Sequence, residues 1–461
     1  MTDIAESSEK AGEVKVHLGA NYWKLWTASV VSNLGDGVAL IAYPWLASAV
    51  TRDAFLIALI AIAQRIPWLV FTLPAGVITD RVDRRKILTT TSMFRALLTL
   101  AVAAVVLMNQ DVLPSPGDVA SGAIGATNTA VYVTLLISAL LFGFAEVLYD
   151  NAAQTILPAI VEPEALEKAN GRLWGAEMVM NQFAGPPLGS VLIGIAFAVP
   201  FFFDAGTFAI AAGLIFGLRG VFKVGKPADE ASETERQSFW SEIKEGIVWL
   251  WAHPLLRPMA IILGLMNGLF SVTFATMVLF AQEALNVTTT TFAILMMAGA
   301  GGGVIGSVLA PKISESLGSG TSLYLTLITM PIATLVIGLS SHWILAWVMF
   351  FIFSFTAVLW NVITVSLRQT IIPDHLLGRV NSVYRFFAWG MMPIGLAIGG
   401  VLVVGSESLG LDRVMSLRIP YFVSTIALFV LFVWAAPQLT TEKIESARDE
   451  GTTTRESTAP R

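Results

Sequence analysis

Six ionisable side chains, Asp36, Arg65, Arg95, Glu146, Asp150 and Asp204, lie inside long apolar runs of the chain. Each is costly in hydrocarbon and so marks a functional site unless a partner neutralises it. A carboxyl group held away from water can exchange a proton near physiological pH, whereas a guanidinium stays charged and can only pair. Asp36 stands about eleven residues into its run, roughly 16 Å along a helix and near the middle of a bilayer. Arg65 lies at a comparable depth on the next run. Asp36 therefore has two open readings: a static pair with Arg65, or a site for a proton or substrate. Glu146 and Asp150 are four apart and share one helical face, where Arg95 and Arg84 can reach them. The deeper Glu146 suits a proton site and Asp150 a structural pair. Asp204 stands near a run end and can reach water.

The elements that must hold these groups follow from composition. The 461 residues are 55% hydrophobic and 13% charged, with a mean hydropathy of +0.72, far from the one-quarter charged residues or so of a soluble domain. The chain is expected in a lipid bilayer. Its net charge of −5 and its scattered basic residues give no nucleic-acid surface. Cysteine is absent, and the four histidines (His17, His253, His342, His375) fall in separate tails and loops, so no disulfide or metal site is expected. The polar lead "MTDIAESSEKAGEVKVHLGANYWK" precedes a full-length span and is not a cleaved signal.

Runs of about 20 apolar residues, enough to cross a bilayer, fall near 25–50, 54–78, 87–108, 129–149, 173–197 and 200–218, then 258–282, 289–311, 321–340, 343–366, 383–405 and 419–436. The fold class expected is therefore an all-α membrane protein of twelve helices. The fifth and sixth runs, divided only by "FAVPFF", have the least distinct boundary. With both termini inside, 23 of the 28 Lys and Arg lie on the inner side, three (Arg52, Arg413, Arg418) lie outside, and Arg65 and Arg95 lie within spans. That positive-inside bias predicts N-in/C-in.

The expected organisation is a cytoplasmic tail over 1–24, a six-helix bundle over 25–218, a linker over 219–257, a second bundle over 258–436 and a disordered tail over 437–461. In the linker, Phe239, Trp240, Ile243, Ile247 and Trp251 recur at helical spacing, which suits either a helix at the membrane interface or a lead into span seven.

The chain also repeats itself. "QTILPAIVEPEALEKANG" at 154–171 parallels "QTIIPDHLLGRVNS" at 369–382, and "VPFFFDAGTF" at 199–208 parallels "IPYFVSTIAL" at 419–428. Two parallel six-helix repeats with substrate between them are a secondary-transporter architecture. By this register Asn361 stands opposite Glu146, Val365 opposite Asp150, Ser424 opposite Asp204 and, more loosely, Asn267-Gly268 opposite Asp36-Gly37. The acids belong to the first half. The second half then offers apolar and amide contacts to a small molecule, with Phe274, Asn267, Asn361, Trp360 and Trp389 as candidates.

The connection "AGVITDRVDRRKIL" carries its own physics. Gly76 near the end of span two allows a close helix approach, and Asp80 can face the positive N-terminal end of span eleven near Asn381 and Ser382. Arg81, Arg84 and Arg85 can reinforce that contact or simply enforce topology. In span five, Gly185, Pro186, Pro187 and Gly189 combine lost backbone hydrogen bonds with small surfaces, a plausible gating bend. Gly301, Gly303 and Gly306 satisfy G-x-G-x-x-G inside a membrane span without a preceding strand, so they carry no nucleotide role. Gly299/Gly303 and Gly302/Gly306 suit helix packing. No G-x-x-x-x-G-K-[ST] motor motif occurs, and no cofactor is expected.

Gly76, Asp80, Arg81, Arg84 and Arg85 match the G-x-x-x-D-R-x-x-R-R loop between helices two and three of the major facilitator superfamily. With "NLGDGVALIAYPWL", "FFDAGTF", "SFWSEIKEGIVWLWAHPLLR" and "NQFAGPPLGSVLIG", the chain resembles the bacterial branch of macrolide-type and siderophore-type (enterobactin exporter-like) efflux proteins over spans one to twelve. "AGPPLGS" resembles the Gly-Pro element of drug:proton antiporters. Where that branch often carries Pro-Ala-Arg after span four, Asn151, Ala152 and Ala153 stand here, and a charge partner is missing. The resemblance implies a monomeric secondary transporter in a bacterial plasma membrane, exporting small amphipathic compounds in exchange for protons. The alternatives are uptake of a nutrient or siderophore by the same fold, or a membrane receptor or enzyme. The repeat, the gating loop and the lack of a catalytic cluster disfavour an enzyme.

Overall fold

A computed structural model describes residues 18–121, 127–162, 165–222 and 233–458. The polar lead over 1–17 and linker residues 223–232 lie outside the described residues. All described regular elements are helices: α1 Gly19–Val50, α2 Ala54–Val70, α3 Thr72–Arg81, α4 Arg84–Met108, α5 Thr129–Ile156, α6 Leu166–Glu177, α7 Gly185–Ile195, α8 Val199–Phe216, α9 Glu233–Ala252, α10 Leu256–Phe274, α11 Met277–Glu283, α12 Thr289–Leu317, α13 Ser319–Leu339, α14 Trp343–Ile371, α15 Asp374–Ser408, α16 Arg413–Ala435 and α17 Thr441–Thr458. In lipid, a helix satisfies its own backbone, which is why an apolar chain of this kind resolves into helices. Short polar caps start several of them. The Asp53 carboxylate accepts from the Phe55 and Leu56 amides, and Asp412 accepts from Met415, satisfying amides that the first turn leaves free.

Among the described residues, ten helices are long and apolar enough to cross a membrane by themselves, where the sequence suggested twelve spans. The second and fifth runs are instead assembled from shorter pieces. The second breaks between α2 and α3 at Phe71, because Pro74 has no N–H to give the Val70 carbonyl. The fifth consists of α6, a π-helical turn over Met178–Ala184, and α7. Pro186 and Pro187 cannot donate to the carbonyls of Gln182 and Phe183, and the wider turn sends the Gly185 amide back to Met180 instead. This π turn directly precedes the Gly-Pro element, which itself opens α7. The fifth and sixth runs separate cleanly at residues 196–198.

Packing reproduces the repeat. In the first half α1 lies on α7 and α8, α2 on α5, and α4 on α5 and α8; in the second, α10 lies on α15 and α16, α12 on α14, and α13 on α14 and α16. The halves meet reciprocally, α2 against α15 and α7 against α12. Glycines set the closest crossings. A Cβ on Gly185 would fall on Gly37 and one on Gly189 on Val38; in the second half a Cβ on Gly395 would fall on Gly268 and one on Gly399 on Val272. Gly302 and Gly306 likewise press on the backbone of Phe351 and Phe355, whereas Gly299 has nothing within 4 Å of the same added atom.

Two surface elements differ from the sequence reading or extend it. Residues Thr441–Thr458, expected to be disordered, form α17, because Leu439 and Ile444 are buried at its start and Thr441 seats against Gly320. The linker helix α9 docks on the first turns of α15. Gly246 lies against the Arg379 backbone, Glu245 pairs with Arg379, and Trp251 contacts Phe387 at 5.5 Å. The side chains of Phe239, Trp240 and Ile243 lie outside the described residues.

Candidate functional site

The charged residues converge inside the first half. Arg95, in the middle of α4, donates to the Asp36 carboxylate at 2.7 Å, and its side chain is only 4% exposed. The guanidinium is wedged between the Phe142 and Phe208 rings, 4.6 and 4.1 Å from their centroids, with Tyr149 at 5.4 Å. Cation–π attraction of this kind strengthens as water is excluded. The partner of Asp36 is thus Arg95 rather than Arg65. Depth along each span matched Asp36 with Arg65, but the face each helix turns inward decides the contact. Arg65 is half-buried and lies, with Trp68, near Glu146.

Among the described residues neither Glu146 nor Asp150 makes an ion pair. Arg95, expected to serve them, is taken by Asp36, and Arg84 donates to the Thr155 carbonyl at 2.7 Å. Both acids are half-buried on α5, facing the same cluster. Asp204 departs further from expectation. It is 1% exposed, so it does not reach water. One turn into α8, it accepts only from the Thr207 hydroxyl, at 3.4 Å, and packs against Gly35, next to Asp36. Its other oxygen is buried without a partner. Phe142, Phe208 and Tyr149 are the residues that sequence reasoning passed over, and Asp204 is the one it gave to water. "FFDAGTF" held the one usable signal, an acid in an otherwise apolar helical segment.

At the loop between α3 and α4, the Gly76 expectation fails: nothing lies within 4 Å of an added Cβ, and beyond the break at Phe71 α3 packs on α5. The Asp80 side chain lies outside the described residues, and Arg81 is exposed. Arg85 donates to the Leu218 carbonyl at 2.8 Å. Asp83, unremarked in the sequence, caps α4 through the Arg85 amide at 2.9 Å and accepts the Phe222 amide at 3.1 Å. These bonds fasten the loop to the first half.

In the second half Trp360 is 1% exposed, and so belongs to the core with Met259, Leu327 and Tyr384 rather than to a cavity wall. Asn267 donates to the Ala388 carbonyl at 2.8 Å, holding α10 on α15. Phe274 and Asn361 are exposed. Trp389 stacks on Trp68 of the first half at 6.0 Å. The opposite end of the bundle is clasped by charge. Arg52 bonds Gln282 and the Val119 carbonyl and pairs with Glu283 at 3.4 Å; Arg413 pairs with Glu283 at 2.8 Å and Glu407 at 2.5 Å and donates to the Arg52 carbonyl at 2.8 Å. Ser48 and Gln282 add a bond of 2.8 Å between the halves.

The profile described as Major Facilitator Superfamily matches residues 25–396. The multidrug efflux pump Tap of Mycolicibacterium fortuitum is 27% identical over 388 residues, covering 81% of this chain and 87% of that protein. The enterobactin exporter EntS of Shigella boydii is 24% identical over 386 residues, covering 83% and 84%. Among solved structures, a bacterial homologue of the iron transporter ferroportin in its inward-facing state superposes with a TM-score of 0.67 at 15% identity, covering 91% and 98%, a likeness of fold alone. With the family profile spanning both halves, this chain is a multi-pass membrane transporter belonging to the Major Facilitator Superfamily.

Proposed function

We propose that this transporter exports small amphipathic or hydrophobic compounds, drug-like or macrolide-like, by alternating access in exchange for protons across a bacterial plasma membrane. The observation that carries the reading is the buried Asp36–Arg95 pair flanked by the further carboxyls Glu146 and Asp150. Such a cluster is costly to keep in a membrane and serves no purpose that an apolar core would not serve better. The relatives add direction, since one is a multidrug efflux pump and the other an enterobactin exporter. The second of these supports a siderophore as the alternative cargo.

Proton coupling requires an acid that loads from outside and releases inside, with substrate preferring the deprotonated, inward-facing form. Glu146 is the first candidate for that acid, Asp36 the second and Asp150 the third, with Arg95 and Arg65 as their charge partners. Phe274, Asn361 and Trp389 remain candidates for substrate contact. The excess of basic residues on one side supports an orientation with the Arg52–Glu283–Arg413 clasp at the outer face and the Asp80 loop at the inner one. Cysteines introduced at Ser115 and Glu230, in a chain that has none of its own, test this orientation: labelling from opposite sides is expected, and labelling from one side overturns it.

The deciding experiment for coupling compares wild type with Glu146→Gln and Asp36→Asn in proteoliposomes. Uphill export under an imposed pH gradient is expected to be lost in at least one variant at unchanged folded yield. Wild-type uphill rates in both overturn the assignment. A panel of antibiotics, dyes and siderophores identifies the cargo.

A further inference from the structure

Of the buried polar atoms without a partner in the first half, two belong to neighbouring groups of opposite charge. The Nε of Arg95 is one, and the Oδ2 of Asp204 is the other. Arg95 lies 4.1 Å from the centroid of Phe208, and Phe208 follows Asp204 by four residues, so both share one face of α8. Asp204 thus stands about one helical turn along α8 from the ring on which the guanidinium packs. An ionised Asp204 with a single long hydrogen bond and 1% exposure would be an uncompensated buried charge, which is strongly unfavourable. The same group with a proton is not.

Among the described residues the surroundings supply no other cation. The elements packed on α8 are α1, α4 and α7, with Phe142 of α5 against Phe208. They face Asp204 with Asp36 and Tyr43 from α1 and Arg95 from α4, and α7 carries no titratable side chain. Around Asp36 stand Arg95, Asp204, Glu146, Tyr149, Asp150 and, from α6, Glu177. One guanidinium therefore sits between two carboxyls on different helices, one of them 23% exposed at its side chain and the other sealed.

We propose that Asp36, Arg95 and Asp204 hold a single proton between them. It resides on Asp204 while Arg95 pairs with Asp36, as in this structure, and on Asp36 once Arg95 has swung to Asp204. In the exchange the Asp204 O–H bond breaks, an Asp36 O–H bond forms, and the ion pair moves the opposite way. The trio stays neutral in both arrangements, so the guanidinium is never left without a counter-charge. Asp36, the more exposed member, then gives the proton to water and later takes one back from water, the trio carrying one negative charge in between. Asp204 is in these terms a further proton-carrying residue. The proposal rests on the proton-exchange reading for its role in transport, but the partner switch itself can be tested without transport.

The experiment is a double-mutant cycle on the purified full chain, reading folded yield, thermal unfolding and the infrared band of a protonated carboxyl. Asp36→Asn and Asp204→Asn are each expected to fold, because the remaining aspartate holds Arg95. The double variant is expected to lose more than the two single losses combined, and adding Arg95→Leu to it should recover folded protein. Each single variant should also lose the same protonated-carboxyl band, since the remaining aspartate ionises to hold Arg95. Additive losses, or a band that survives Asp36→Asn unchanged, would overturn the shared proton. Wild-type flux indifferent to an imposed pH gradient would instead sink proton exchange and leave the cycle to decide the switch.

Discussion

The two halves of the molecule share one scaffold and fill it with opposite chemistry. Gly185 on Gly37 and Gly189 on Val38 in the first half recur as Gly395 on Gly268 and Gly399 on Val272 in the second, so α1 meets α7 as α10 meets α15. At the residue preceding each of the inner glycines the halves part. Asp36 takes an ion pair from Arg95, whereas Asn267 gives one hydrogen bond to the Ala388 carbonyl. Asp204 is buried with an orphan oxygen, whereas Ser424 in the matching place donates to the Leu269 carbonyl at 3.1 Å. Backbone approach is thus common to both halves, while at these matched positions the carboxyl groups stand in the first. A site that changes charge asks for alternatives to be held open; a hinge partner asks for one arrangement held firmly.

That contrast can be broken most severely at Arg95. Arg95→Leu leaves Asp36 without its cation, and breaking a buried pair from one side costs about 3–5 kcal/mol. A large fall in folded yield and in thermal unfolding temperature is expected. An unchanged unfolding temperature would mean that the charged half is no more tightly held than the neutral one.

The glycine crossings come next. Gly185→Ala and Gly395→Ala each force backbones apart and are expected to cost about 1–3 kcal/mol, as overpacking does. Equal losses confirm a common scaffold. A smaller loss at Gly185 would show that the π turn at Met178–Ala184 yields where the continuous helix α15 cannot.

Asn267→Ala should be milder, about 1 kcal/mol for one neutral hydrogen bond, with proton-gradient dependence retained, as measured by unfolding and by flux in proteoliposomes. If it abolishes that dependence, coupling is not confined to the first half.

The smallest expected effect is at the loop. Asp80→Asn removes a carboxylate expected to face α15 near Asn381 and Ser382; because α15 begins earlier, at Asp374, this contact is worth no more than the roughly 0.3–1 kcal/mol of a helix end. Spin-label distances between the 2–3 and 10–11 loops should shift toward the wider population with folded yield unchanged. An unaltered distribution counts against a gate there.

Hydropathy alone located the apolar runs, and short sequence matches located the repeat, because both properties are averaged along the chain. What escaped depended on the direction in which side chains point. Asp36 is legible in the sequence, but the pair open to it there is with Arg65, since matching depth says nothing of which face a helix turns inward. Asp204 was assigned to water because it lies near a run end, yet packing against Gly35 encloses it. Trp360 looked like a cavity wall and is core. Gly76 looked like a crossing and has open space, on α3 beyond the break at Phe71. Such misses concern tertiary packing, which overrides what any single segment prefers.

The clasp at the Arg52 end has a consequence for biosynthesis. Its members are Arg52, Glu283, Glu407 and Arg413, drawn from near the beginning, the middle and close to the end of the chain. Since domains generally fold as they emerge, N-terminal first, the first bundle is complete long before Arg413 leaves the ribosome. Arg52 first gains the carboxylate of Glu283 and only later the second arginine that shares it. Completing this seam is therefore among the last events of assembly, and a chain truncated before α16 would keep the Arg52–Glu283 pair but lose Arg413 from the clasp.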